Sequence, residues 1–319
     1  MNVRGHGWAA AGDRRALCWC LAVSLNARLP YQEGYVIGIR NMIIIAGLAL
    51  GVAASLARGQ APATSTAAIM KQPVAFRSDG LALVGYLFKP EGAGPFPAVI
   101  WNHGSERAPG RGQQFTAAAA IFVGAGYVLF APVRRGHEGS EGVYIVDETN
   151  RARKTGRQQE ANRLVIRKLE TAQLDDQLAG LAYLSGLPFV DTSRIVVAGC
   201  SYGGIQTLLG AERGVGYRAA VSISPAALSW EGNPLLRERL LQAVRKIEIP
   251  VMLLQPPKDA SLEPSRVLGA EFKRLGKPFS GKIYPPEGPE DQQEHCFGGA
   301  KGMHIWAEDA LAFFKQVLR

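Results

Sequence analysis

Six short apolar runs punctuate the chain: "PFPAVIWN", "YVLFAP", "RIVVAG", "YRAAVSIS", "IPVMLLQ" and "PFSGKIYP". Each is too short for a buried helix, and most are continuous rather than alternating. That is the pattern of strands covered on both faces. Between them lie segments with helical spacing, among them "GQQFTAAAAIFVGAG", "GGIQTLLGAER", "NPLLRERLLQAVRKI", "EPSRVLGAEFKRLG" and "AEDALAFFKQVLR", with a further helix over about Leu164 to Leu184. Strand alternating with helix predicts a mostly parallel central sheet with helices on both faces. Ahead of it, "PVAFRSDGLALVGYLFKP" reads as an antiparallel hairpin turning at Ser78-Asp79-Gly80, which puts a hairpin at the N-terminal edge.

In such a sheet, chemistry gathers at the carboxyl ends of strands. "RIVVAGCSYGG" (Arg194 to Gly204) ends a predicted strand and opens a helix, with Cys200 and Ser201 side by side in the turn. A nucleophile on so tight a turn needs small residues two before and two after it. Around Ser201 those positions are Gly199 and Gly203; around Cys200 they are Ala198 and Tyr202. The frame selects Ser201 and leaves Cys200 as a small buried filler. Two more polar residues follow late strands: Asp259 after "VMLLQPPK" and His295 in "DQQEHCFGG".

The order Ser201, Asp259, His295 resembles that of the α/β-hydrolases. The segments "PFPAVIWNHGSE", "FAPVRRGHEGS", "VDTSRIVVAGCSYGGIQTLL", "IPVMLLQPPKDAS" and "EHCFGG…IWAEDALAFFKQVL" extend the resemblance over roughly residues 73–319. They are similar to the dienelactone hydrolase-like and prolyl-oligopeptidase-like branch. The resemblance implies an α/β-hydrolase fold and a catalytic triad, with Ser201 attacking an acyl carbon, His295 as base and Asp259 orienting the imidazole. It implies an oxyanion hole from the backbone N–H groups of Tyr202 and Ser105. Dienelactone hydrolases themselves carry a Cys nucleophile, so Ser201 departs from that lactone chemistry. Glu138 in "RRGHEGS" stands where glycine is more usual.

The rivals have blander roles. His304 leads into the last helix and reads as a helix-start histidine; Asp175 and Asp176 fall within a helix and read as a solvated face. His103 is expected to support the oxyanion loop. His137 is expected to order the loop after the fourth strand, with a substrate contact as the lesser reading. The excursion from Ala227 to Lys246 is expected to form part of a cap, with Trp230 near the cleft. His137 and Trp230 are therefore the candidate substrate-pocket residues. No His pairs with Cys, Asp or Glu at zinc-like spacing, and no dinucleotide fingerprint occurs, so neither metal nor cofactor is assigned.

The chain has 319 residues and a net charge of +9. Residues 1–60 hold six Arg against Asp13 and Glu33, so +4 of that charge lies in the leader and +5 in the remainder. No basic stripe with interleaved aromatics appears, which argues against a nucleic-acid partner. The basic run Asn150 to Arg163 reads as a solvated loop or helix start. Residues 1–61 read as a leader. The apolar core Ile43 to Ala54 suits a signal peptide but is short for a membrane span, and small residues near Ala57 or Ala61 offer cleavage sites. Met42 is an alternative start, and an uncleaved signal anchor an alternative fate. Residues 62–72 form a linker and 73–319 the catalytic domain. Export implies a secreted or periplasmic protein with no stable span after processing. Cys18 and Cys20 fall in the leader; Cys200 and Cys296 could pair, but two free thiols are expected.

These features predict a serine hydrolase acting on a small-molecule acyl substrate, a carboxylic ester or related bond. About a dozen residues separate leader from hairpin, which suits open access to small substrates. The alternatives are a peptidase of the prolyl-oligopeptidase type cleaving acyl-peptides or dipeptides, and a catalytically silent hydrolase-fold binding protein.

Overall fold

The computed structural model describes residues 70–319; the leader and residues 62–69 of the linker lie outside the described residues. In chain order the elements are β1 (Gln72–Ser78), β2 (Leu81–Phe88), β3 (Phe96–Asn102), α1 (Gln114–Gly124), β4 (Val128–Pro132), α2 (Ile145–Lys154), α3 (Gln158–Glu170), α4 (Ala172–Ser185), β5 (Val190–Cys200), α5 (Tyr202–Glu212), β6 (Ala220–Ile223), α6 (Pro234–Lys246), β7 (Val251–Gln255), α7 (Glu263–Arg274), β8 (Phe279–Ile283) and α8 (Met303–Val317).

The strands form one eight-stranded sheet in the order β1-β2-β4-β3-β5-β6-β7-β8. β1 and β2 pair antiparallel, with Ser78 opposite Leu81. Asp79 (φ 48°) and Gly80 (φ 79°) make the connection, and positive φ at both positions is the mark of a type I′ hairpin turn. β2 also runs antiparallel to β4, and every later pairing is parallel.

Alternation along each central strand divides the core into two layers. On β5, Ile195 and Val197 face one layer, and Val196, Ala198 and Cys200 the other. The first layer takes Leu208 and Leu209 of α5, Leu240 of α6 and Phe272 of α7. The second takes Phe115 and Phe122 of α1 and Trp306 and Phe314 of α8. Trp101 of β3 stacks on Trp306, with centroids 5.9 Å apart and planes 8° from parallel. Both are fully buried, so truncating either to Ala would cost about 3–5 kcal/mol.

Three sequence expectations need correction. The polar stretch before Leu164 contains α2 and the start of α3, and Thr171 (φ −122°, ψ −106°) divides the expected single helix into α3 and α4. α2 buries Ile145, Thr149 and Ala152, a face too small and polar to stand out in the sequence. α6 is a sheet-covering helix, since Leu236, Leu240, Ala243 and Val244 belong to the first core layer. Trp230 lies in that same layer at 3% exposure, because a large indole beside an apolar helix gains more from burial than from lining an open cleft.

Candidate active site

Ser201 occupies the single position between β5 and α5, at φ 60° and ψ −121°. A non-glycine residue so placed is strained by about 1–3 kcal/mol and persists only where its surroundings hold it. Here the Ser201 N–H donates to Ile223 O (2.9 Å), and Ser201 O accepts from Ile205 N (3.1 Å). The flanking glycines meet the end of β3. A Cβ on Gly203 would fall 2.0 Å from Asn102 O, and one on Gly199 would fall 2.6 Å from the same atom. The glycine frame is therefore a requirement for contact between β5, α5 and β3.

The loops after β7 and β8 bring two more side chains to Ser201. His295 Nε2 lies 2.8 Å from Ser201 Oγ, and His295 Nδ1 lies 2.7 Å from Asp259 Oδ1. The Asp259 carboxylate accepts a hydrogen bond from Nδ1–H, which leaves Nε2 to accept from the serine hydroxyl. The Asp259 side chain has no solvent exposure. It also accepts from Gln255 Nε2 (2.5 Å) and from Ala260 N (2.8 Å). Gln255, the last residue of β7, is held in turn by Ser265 Oγ.

Cys200 and Cys296 form a disulfide, with Cα atoms 6.1 Å apart and 96 residues between them in sequence. The expectation of two free thiols is thus corrected. Packing β5 against the loop after β8 brings the two cysteines within bridging distance, and nothing in the local sequence of either reports that. His295 opens a run of irregular turns, His295–Gly302, in which Cys296 (φ 55°) and Phe297 (φ 56°) are left-handed.

On the other side of Ser201 lies the loop after β3. Arg134, the second residue after β4, is 2% exposed. Its guanidinium donates to His103 O (2.7 Å), to Gly104 O and to Gln206 Oε1 (2.9 Å). It also lies 5.1 Å from the centre of the Tyr202 ring. Burial lowers the Arg134 pKa to about 10, so it stays charged at neutral pH. His103 Nε2 accepts from Arg134 N (3.2 Å), which leaves the Nδ1 proton to bond Gly104 O at 2.9 Å. Burial, then the Arg134 charge, holds His103 well below the usual imidazole range. Ser105 is exposed in this loop, and its carbonyl accepts from Tyr144 Oη. Tyr202 is the first residue of α5, where a backbone N–H has no intrahelical partner.

The structure therefore gathers Ser201, Asp259 and His295 into one hydrogen-bonded chain and sets Tyr202 and Ser105 on elements flanking it. Trp230 and His137 do not present a free face to it. His137 is 2% exposed and packs edge-on against His103 (4.7 Å) and Tyr144 (4.8 Å). Its Nδ1 bonds Glu106 O at 2.8 Å, so it braces two loops against each other. His304 is exposed, with Nδ1 bonded to Lys301 O (2.9 Å). Asp176 is not on a solvated face: it is fully buried and binds the backbone N (2.9 Å) and Nη2 (2.7 Å) of Arg135. Sequence reasoning missed Arg134, Gln255 and the disulfide. A polar residue closing an apolar strand run, as in "VMLLQ", is the one signal that could have marked Gln255.

Residues 113–232, which run from the start of α1 through the elbow to the loop after β6, match the prolyl oligopeptidase family. The uncharacterized peptidase YtmA of Bacillus subtilis is 25% identical over 242 residues, covering 66% of this chain and 82% of its own. The Pyrococcus horikoshii acylaminoacyl peptidase superposes with a TM-score of 0.59 at 20% identity, over 78% of this chain. This chain spans only 42% of that peptidase's length. The Pyrococcus furiosus esterase Pf2001 gives a TM-score of 0.59 at 15% identity, over 79% of this chain and 94% of the esterase. This chain has the α/β-hydrolase fold. The family match covers a little over a third of the chain. In this fold the serine elbow, the α5 N-terminus and the β3 loop all lie within the matched segment or pack against it, while Asp259 and His295 lie beyond it.

Proposed function

We propose that this α/β-hydrolase cleaves carboxylic esters or related acyl bonds of small substrates through an acyl-enzyme. The observation that carries the reading is the unbroken hydrogen-bond chain from Ser201 Oγ through His295 to Asp259, at 2.8 and 2.7 Å. Ser201 Oγ attacks the acyl carbon while His295 Nε2 takes its proton. Asp259 holds the tautomer and stabilises the imidazolium. The oxyanion that forms accepts from the N–H groups of Tyr202 and Ser105; each such donor is worth about 10²–10³ in rate. His295 then returns the proton to the leaving oxygen, and water repeats the sequence on the acyl-enzyme.

The prolyl oligopeptidase match favours a second reading, in which the acyl bond is that of a short acyl-peptide. A fluorophosphonate probe, followed by p-nitrophenyl esters and peptidyl p-nitroanilides, separates the two. We expect labelling at Ser201, its loss in Ser201→Ala, and faster turnover of the esters. Faster anilide turnover would favour the peptidase. An unlabelled folded protein would favour the silent binding scaffold.

We also propose export, with cleavage near Ala57 or Ala61. The Cys200–Cys296 disulfide supports an oxidising compartment, where such bonds persist. N-terminal sequencing of native protein checks this: a start between Arg58 and Pro62 is expected, and an intact chain in the cytosol would refute it.

A further inference from the structure

We propose that the Cys200–Cys296 disulfide is a positioning device for turnover, setting His295 against Ser201, so that its reduction slows catalysis in the folded protein. The inference rests on the serine hydrolase reading above.

Placement is the first ground. Cys200 is the residue before Ser201 and Cys296 the residue after His295, so the bridge runs alongside the hydrogen bond between the two side chains. Without it, the shortest covalent path from Ser201 to His295 is the chain between them, 94 residues apart.

The second ground is how little else holds the His295 segment. It belongs to no strand, and outside its own 3-10 turns its backbone is tied to other segments at only a few points. Lys258 N donates to Gln293 O (2.8 Å) and Cys296 N to Ser224 Oγ at a longer 3.2 Å, while the bond from Phe297 N to Glu294 O (2.8 Å) lies within the turns. Phe297 is buried against Tyr284, with ring centroids 5.1 Å apart, which anchors the far side of Cys296 but not His295 itself. Cys296 and Phe297 both sit in the left-handed region, a conformation that non-glycine residues leave when released. Opening the bridge therefore frees a backbone already biased to move, next to the base. A misplacement near 1 Å at a reacting group costs about 10²-fold.

The chemistry is a two-electron exchange with a dithiol reductant. One thiolate of the reductant attacks the sulfur of Cys296, the more exposed half of the bridge. The S–S bond breaks, Cys200 leaves as a thiolate and takes up a proton. The second thiol of the reductant then displaces Cys296, which is protonated in turn, and the reductant leaves as its own cyclic disulfide. Reoxidation reverses each step.

The test uses the full-length chain, dithiothreitol and a p-nitrophenyl ester. A non-reduced peptide map first establishes the Cys200–Cys296 linkage; two unlinked cysteines would overturn the proposal. Turnover is then measured in oxidised, reduced and reoxidised protein at a temperature where circular dichroism shows all three folded. We expect kcat to fall about 10-fold or more with KM changed less than about 3-fold, and reoxidation to restore it. The C200A/C296A variant, which keeps Cys18 and Cys20, should match the reduced protein and ignore dithiothreitol. A bridge that only staples the fold gives a lower Tm with kcat unchanged, or activity lost together with the near-ultraviolet dichroism; either overturns the proposal. Oxidised protein that never labels with fluorophosphonate defeats the serine hydrolase reading and this inference with it, whereas labelling and turnover indifferent to reduction defeat this inference alone.

Discussion

Ser201 and His295 are one hydrogen bond apart, yet their backbones are held by opposite means. Ser201 is fixed by regular structure: β5 behind it, α5 ahead of it, and the end of β3 pressed against Gly199 and Gly203. His295 is held by side chains, directly through Asp259 and, at the next residue, through Ser224 Oγ and one disulfide. Strain accompanies both, as positive φ at Ser201 and again at Cys296 and Phe297. On the serine side the hydrogen bonds of a sheet and a helix hold that strain. On the histidine side a handful of local ties must do so. One catalytic geometry can thus be built half from the fold and half from cross-links. The two halves should fail differently.

The largest effect tests the base. His295→Ala should lower kcat by about 10⁴-fold or more, the scale of losing a triad member, with thermal stability close to wild type. His304→Ala should leave kcat within about 2-fold, since an exposed helix-start side chain is worth little. The reverse pattern in steady-state kinetics would move the base to His304.

Gly203→Ala probes the serine half. Its new methyl would meet Asn102 O at 2.0 Å and His103 O at 2.6 Å. Both are backbone atoms that cannot swing aside. Overpacking of this kind costs about 1–3 kcal/mol and sometimes more, so urea unfolding should show that loss, together with a fall in kcat. Near-wild-type stability would mean that β3 is not pressed against the elbow.

The effect confined to acid pH concerns His137, which braces the serine half. Burial lowers its pKa from 6.5 to about 3. Between those values the unfolded chain binds a proton that the native state does not. Stability from this group is therefore complete above pH 6.5 and declines as pH falls towards 3, by about 1.4 kcal/mol per pH unit. Replacing it by Asn should flatten the acid limb of the stability–pH curve by about that slope. An unchanged limb in urea titrations at pH 6, 5 and 4 would show that His137 is not buried neutral.

The serine half was legible in the sequence and the histidine half only partly so. Strands buried on both faces advertise themselves as apolar runs, and a close backbone approach demands glycine, so "RIVVAGCSYGG" carries its own geometry. His295 and Asp259 were found through strand order and family resemblance, because loop residues have no periodicity to read. The disulfide was misjudged because each cysteine looks like an ordinary small residue in its own segment. Arg134 and Asp176 escaped for a related reason. Charged side chains are solvated by default, and only the folded protein reveals the carbonyls and the Arg135 guanidinium that take water's place. α2 hides because its buried face is Ile145, Thr149 and Ala152 rather than a stripe of leucines.

Arg134 has one more consequence, which follows from the flatness of the peptide unit. Among the described residues the one cis bond is Gly94–Pro95, so the peptides joining His103, Gly104 and Ser105 are trans. In a trans unit the C=O and the N–H point in opposite directions. By drawing the carbonyls of His103 and Gly104 inward, the guanidinium turns the N–H groups of Gly104 and Ser105 outward. Arg134 thus acts as a hidden compass for the loop, fixing which way its donors face from a place no substrate can reach.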